Sequence, residues 1–169
     1  MELLLPHGQI LRLDHPRIMG ILNVTPDSFS DGGRYVSTDA AVAHGLSMAA
    51  DGADIIDVGG ESTRPGSQPV PADEQKRRIL KVIETLRGKL EQLGSDVVIS
   101  VDTTSADVAK MAFDAGASII NDTSAGQGCS DIDGSHAMFS LAAERCLPIV
   151  LMHMQDTPTT MQQEPSYDH

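Results

Sequence analysis

Tryptophan is absent, and the other large aromatics amount to two Tyr and three Phe. Any core must therefore be packed from Ile, Val, Leu, Met and Ala, which suits an α/β domain. Basic residues are also scarce, with 12 Lys and Arg against 24 Asp and Glu and a net charge of −12. A surface of that sign repels phosphates overall. It argues against a nucleic-acid or anionic-membrane partner and leaves any anionic ligand to be captured locally. No apolar run approaches the ~20 residues that cross a bilayer. Residues 1–14 show no basic segment followed by an apolar stretch and a cleavage site, so a cytoplasmic location is expected. Cys129 and Cys146 are too few for a disulfide framework and have no Cys-x-x-Cys partner for zinc.

The chain, 169 residues long, reads as a single domain and falls short of the ~250 residues typical of an eight-unit barrel. Short apolar stretches around Pro6-His7-Gly8 predict an N-terminal β-hairpin. Ile18-Met19-Gly20-Ile21-Leu22 reads as a parallel strand buried on both faces. Further strands are expected at Ile55-Ile56, Val97-Val98-Ile99, Ile119-Ile120 and Ile149-Val150-Leu151. Helical spacing fills the gaps. Ile79, Val82, Ile83, Leu86, Leu90 and Leu93 share one face of a helix ending at Gly94. Val108, Met111, Ala112 and Ala115 line another, capped by Thr104 or Ser105 and closed by Gly116. A first helix is expected over residues 40–50 and a fourth over about 135–145. Gly52-Ala53-Asp54-Ile55-Ile56-Asp57 and Gly116-Ala117-Ser118-Ile119-Ile120-Asn121 repeat one another, each with a helix-ending Gly leading into a strand. A (β/α) barrel and a doubly wound sheet both fit this alternation.

Each strand run is followed by a polar residue, namely Asn23, Asp57, Asp102, Asn121 and, after a Met, His153. Strand C-terminal ends are where parallel α/β sheets of either kind place their ligands. Two long connections point the same way. One is Val24-Thr25-Pro26-Asp27-Ser28-Phe29-Ser30-Asp31-Gly32-Gly33. The other is Gly59-Gly60-Glu61-Ser62-Thr63-Arg64-Pro65-Gly66, in which backbone N–H groups and one guanidinium could hold phosphate oxygens.

Residues 21–33 and 52–66 resemble the first and second signatures of dihydropteroate synthases. Ser100-Val101-Asp102-Thr103, Ile119-Ile120-Asn121-Asp122 and Leu151-Met152-His153-Met154-Gln155 are similar to further family segments in the same order. The resemblance implies a (β/α)8 TIM-barrel type fold, present here as about five βα units behind the hairpin. It implies transfer of a pterin from its pyrophosphate ester to para-aminobenzoate, with sulfonamides as inhibitors. Asp102 and Asn121 would hydrogen-bond the pterin and Met152 would pack on its face. Asn23 would ligate Mg²⁺ together with the pyrophosphate. Thr63, Arg64 and Pro65, with Ser28 and Phe29, would close over pyrophosphate and para-aminobenzoate. Asp57 would orient the site, and Asp102, Arg64 and Asn23 would carry the electrostatics of the reaction. No covalent nucleophile is implied, and His153 reads as structural.

Family members draw a second pterin-binding Asp, a Lys and an Arg-x-His anion site from strands six to eight, and no segment after Gln155 supplies them. A C-terminally truncated barrel, inactive alone, is therefore expected. Family synthases are commonly dimers through helices that this chain mostly lacks. A non-catalytic pterin-binding paralogue is the alternative, with a pterin-binding methyltransferase domain behind it because residues 25–33 resemble the synthase.

Overall fold

The structure is a computed structural model that describes residues 1–25, 37–62, 68–126 and 137–153. The expected hairpin is present: β1 (Glu2–Leu4) pairs antiparallel with β2 (Ile10–Arg12). Its Leu5 and Leu11 are buried against Ile55, Val98 and Ile119, so the hairpin covers the N-terminal end of the main sheet.

That sheet has five parallel strands: β3 (Met19–Asn23), β4 (Ile55–Gly59), β5 (Val98–Asp102), β6 (Ile119–Asp122) and β7 (Ile149–Leu151). Their order in space is their order in the chain. Between them run α1 (Thr38–Ala50), α2 (Ala72–Gln92), α3 (Ala106–Asp114) and α4 (Ala137–Arg145), each packed on the next. A doubly wound sheet would reverse direction at a switch point and carry helices on both faces. Here the winding never reverses, which makes the sheet a wall of a barrel. None of the helices among the described residues is long and apolar enough to cross a membrane.

Strand alternation sorts the side chains into two layers. Leu22, Ile56, Val58, Ile99, Val101 and Ile120 face the helices, in one core with Val42, Ile79, Val82, Ile83, Leu86, Leu90 and Val108. The residues between them face the inner side. β3 departs from the reading as a strand buried on both faces, because Ile18 is 63% and Ile21 64% exposed. β7 is likewise open at Val150 and Leu151. Both strands lie at edges of the sheet, where no described neighbour covers them.

Helix boundaries follow local chemistry. Ser105 caps α3 by accepting from the Val108 N–H, and Ser37, which the periodicity did not single out, caps α1 through the Ala40 N–H. In the repeated segments Gly52 (φ 101°) and Gly116 (φ 117°) end α1 and α3 in the left-handed region. After Gly116, the N–H groups of Gly116 and Ala117 return to the carbonyls of Phe113 and Ala112. α4 ends with the same pair of bonds, Cys146 to Ala143 and Leu147 to Ala142, but with a Cys at φ 52°. A side chain there crowds the neighbouring carbonyl. Cys146→Gly is therefore expected to stabilise the fold by about 1 kcal/mol. An unchanged urea midpoint would count against this account of the helix end.

Candidate functional site

Register brings the inner-facing polar residues into two tiers. In the upper tier Asn23 lies beside Gly59, Gly59 beside Asp102, Asp102 beside Asn121 and Asn121 beside Val150. One step below, Ile21 lies beside Asp57, Asp57 beside Ser100 and Ser100 beside Ile119. Asp57 is thus not the strand-end residue that its place after Ile55-Ile56 suggested. β4 continues through Val58 to Gly59, and Asp57 sits a tier deeper, 3% exposed.

Gly59 leaves a gap between its neighbours. A Cβ placed there would stand 3.4 Å from both Asn23 Oδ1 and Asp102 Oδ2, so two oxygen acceptors converge above a bare stretch of backbone. Asn121 joins the tiers, its Nδ2 donating to Asp57 Oδ2 at 2.8 Å. That bond orients the amide and leaves its carbonyl oxygen as the acceptor for the inner side. Asp57 Oδ1 and Ser100 Oγ are fully buried without a hydrogen-bond partner. The Ser100 hydroxyl therefore stands beside the carboxylate without the alignment of a hydrogen bond.

Electrostatics set the site apart from the surface. Asp102 is 9% exposed, and its carboxyl is pushed up to about 7, first by burial and then by the negative charges of Asp57, Glu61 and Asp122. Burial also raises Asp57, opposed by the nearby Ser100 hydroxyl and the Asn121 amide. Carboxyls raised by burial and like charge in a concave site mark places where charge is held ready for a ligand.

Met152 follows β7 at the open edge, 37% exposed, and its N–H donates to the Asp122 carbonyl at 3.1 Å. His153 follows it and is exposed. Ser28, Phe29, Thr63, Arg64 and Pro65 lie outside the described residues, as do Cys129 and the segment beyond His153. Among the described residues no three His, Cys, Asp or Glu side chains are grouped to hold a metal by themselves.

Among the buried polar residues, Asp122 and Gln75 were given no role in the sequence reading. Asp122, fully buried, accepts from the Ser124 N–H and hydroxyl and from the Gly126 N–H, and so shapes the chain after β6. Gln75, 4% exposed, bridges Glu61, Val70 and Thr103. Its signal was in the spacing, since it lies four residues before Ile79 on the buried face of α2. The charged residues on either side of it disguised this.

The family model described as "Pterin binding enzyme" matches residues 19–169. The dihydropteroate synthase of Escherichia coli (strain K12) is 47% identical over 165 residues, which are 98% of this chain and 54% of that protein. The dihydropteroate synthase of Streptococcus pyogenes serotype M1 is 52% identical over 149 residues, 88% of this chain and 52% of the relative. The chain thus spans about half the length of the curated relatives it matches. Among solved structures, Xanthomonas albilineans dihydropteroate synthase with 4-aminobenzoic acid superposes with a TM-score of 0.77 at 46% identity, over 95% of this chain and 52% of that one. Yersinia pestis dihydropteroate synthase in a sulfonamide drug complex gives 0.83 at 43% identity, over 100% of this chain and 57% of that one.

Proposed function

This chain belongs to the pterin-binding enzyme family, and we propose that it serves dihydropteroate synthesis, a transferase step of folate formation. In that step the bond between the pterin methylene and pyrophosphate breaks. A bond to the amine of para-aminobenzoate forms, and that amine gives up a proton. The observation that carries the reading is the upper tier: Asn23 and Asp102 flank Gly59, and Asn121 lies beside Asp102, along the C-terminal edge of a barrel wall.

Each residue has a part that its chemistry can play. Asp102, ionised, accepts from the amino group and ring N–H of the pterin, while the Asn121 carbonyl accepts from a further donor. Loss of pyrophosphate leaves positive charge on the pterin methylene, which the Asp102 carboxylate stabilises from a water-poor site. Asp57 holds Asn121 in the required orientation. Met152 offers a polarizable thioether to the flat ring. Thr63 and Arg64 bind the leaving pyrophosphate, and Ser28, Phe29 and Pro65 close over para-aminobenzoate.

The donors present fit Mg²⁺, a hard cation that takes oxygen ligands and is commonly shared with substrate phosphates. Asn23 would hold it through one amide oxygen. When bound, the ion would neutralise charge on the leaving group. One amide is a weak anchor, so the metal would arrive with the pyrophosphate.

Titration calorimetry with 6-hydroxymethyl-7,8-dihydropterin pyrophosphate tests the reading, using the protein at the full length its gene encodes. Binding should strengthen on adding Mg²⁺, and para-aminobenzoate should then be converted to 7,8-dihydropteroate. The 169 residues alone should form no product, because the described residues supply five parallel strands where a closed barrel of this type has eight. Product formed by the short chain would overturn that expectation. Tight pterin binding without any product from the full-length protein would favour the non-catalytic reading instead.

A further inference from the structure

We propose that Gly59 determines which pterins the site accepts: the carbon attached to C6 of the pterin lies over its bare backbone, between Asp102 on one side and Asn23 on the other. The proposal rests on the synthase reading above. A glycine inside a strand needs a reason, because it loses more conformational freedom on folding than any residue with a side chain. Gly20 in β3 has one, since a Cβ there would stand 2.8 Å from Met48 Sδ. So has Gly60, just after β4, where a Cβ would stand 3.0 Å from Gln75 Cα and 3.1 Å from Ile79 Cγ2.

Gly59 has neither a crowding neighbour among the described residues nor a special backbone. It lies in β4, in parallel register with Asn23 and Asp102, and it is not among the glycines with positive φ. A Cβ there would meet Asn23 Oδ1, Asp102 Cβ and Asp102 Oδ2, each at 3.4 Å, which is ordinary van der Waals contact. The described fold would therefore accept Ala at this position. What the missing side chain leaves is room between two oxygen acceptors, and a strand glycine of this kind marks the close approach of a ligand.

The size of that room matches one part of the substrate. Asn23 Oδ1 and Asp102 Oδ2 stand equally far from the Cβ position, so they are no more than twice 3.4 Å apart. In the synthase reading Asp102 holds the ring and Asn23 belongs to the pyrophosphate end. The substrate joins these two parts through one carbon and one oxygen, so a ligand that reaches both acceptors carries that short link across Gly59. A Cβ would take the volume the carbon needs and hold it away from the carboxylate that stabilises its developing charge.

Two pterins without phosphate isolate this contact: 7,8-dihydropterin, which has only hydrogen at C6, and 6-methyl-7,8-dihydropterin, which adds the single carbon. Wild-type protein and Gly59→Ala, both at full coding length, are titrated with each by calorimetry. Gly59→Ala should weaken binding of the 6-methyl compound about tenfold or more relative to the unsubstituted ring, whose own affinity should stay nearly unchanged. The urea midpoint of the variant should be no lower than that of the wild type. An unchanged ratio of the two affinities overturns the proposal. So does an equal loss for both pterins, which would put the ring itself over Gly59. A lowered urea midpoint, or a variant that does not fold, overturns it as well, since the glycine would then serve the fold. A wild-type protein that binds neither pterin defeats the synthase reading first, and that failure is visible before the variant is made.

Discussion

Asp102→Asn should weaken pterin binding at least ~100-fold at pH 8 and at the same time make the fold more stable there. The carboxyl is almost fully buried, next to the charges of Asp57, Glu61 and Asp122, and lifted to about 7. In an unfolded chain an Asp ionises near ~4. Between those values the folded chain binds more protons than the unfolded one, so stability falls as pH rises from ~4 towards about 7 and stays reduced above. A shift of that size corresponds to an upper bound of about 4 kcal/mol, of which about half is expected to survive relaxation around the ionised group. Asn removes the titrating charge while keeping the shape. Urea denaturation should show a gain of about 2 kcal/mol at pH 8 that vanishes near pH 4. A gain of equal size at both pH values would defeat this explanation.

On the proposed reading the same substitution loses a charged acceptor for paired pterin donors. Hydrogen bonds to a charged group are worth ~1.5–3 kcal/mol each, so pterin affinity should fall at least ~100-fold at pH 8. On the proposed reading the ionised form is the one that binds. Affinity should therefore decline as pH drops below about 7, and in Asp102→Asn that dependence should disappear. The site thus keeps a carboxylate that the fold alone would be better without.

Much of this arrangement was legible because parallel strands and their connecting helices write themselves in short-range chemistry. The apolar runs marked every strand of the main sheet, and Ser105, Gly52 and Gly116 marked helix ends, since caps and left-handed residues act within one turn. What depends on neighbours across the sheet was not legible. Ile21 reads as core until β3 proves to be an edge. Asp57 reads as a strand end until its pairing with Ser100 sets it a tier down. Gln75 sits in a charged stretch, and only the approach of β5 to the start of α2 reveals that its amide is buried. Ser28, Phe29, Thr63, Arg64 and Pro65 were legible as signature residues, but they lie outside the described residues.

A second large effect is expected where α1 meets α2, at Leu86. This side chain is fully buried, and its Cδ atoms come within 3.1 and 3.2 Å of where a Cβ on Gly45 would stand. Gly45 is itself buried within α1. The contact keeps α1 against α2, and these helices back the strands that carry Asn23 and Asp57. Leu86→Ala should destabilise the fold by ~2–5 kcal/mol through lost burial and the cavity left behind, a large share of the ~5–15 kcal/mol typical of a domain. Gly45→Ala alone sets a gain in helix propensity of ~1 kcal/mol against crowding by Leu86. Once Leu86 is Ala, the crowding is gone and part of the cavity is filled. Gly45→Ala should therefore be clearly stabilising in the Leu86→Ala background and much less so, or even unfavourable, in the wild type. The double-mutant cycle should give a coupling of ~1 kcal/mol or more. Strict additivity would mean that the two helices do not meet at this pair.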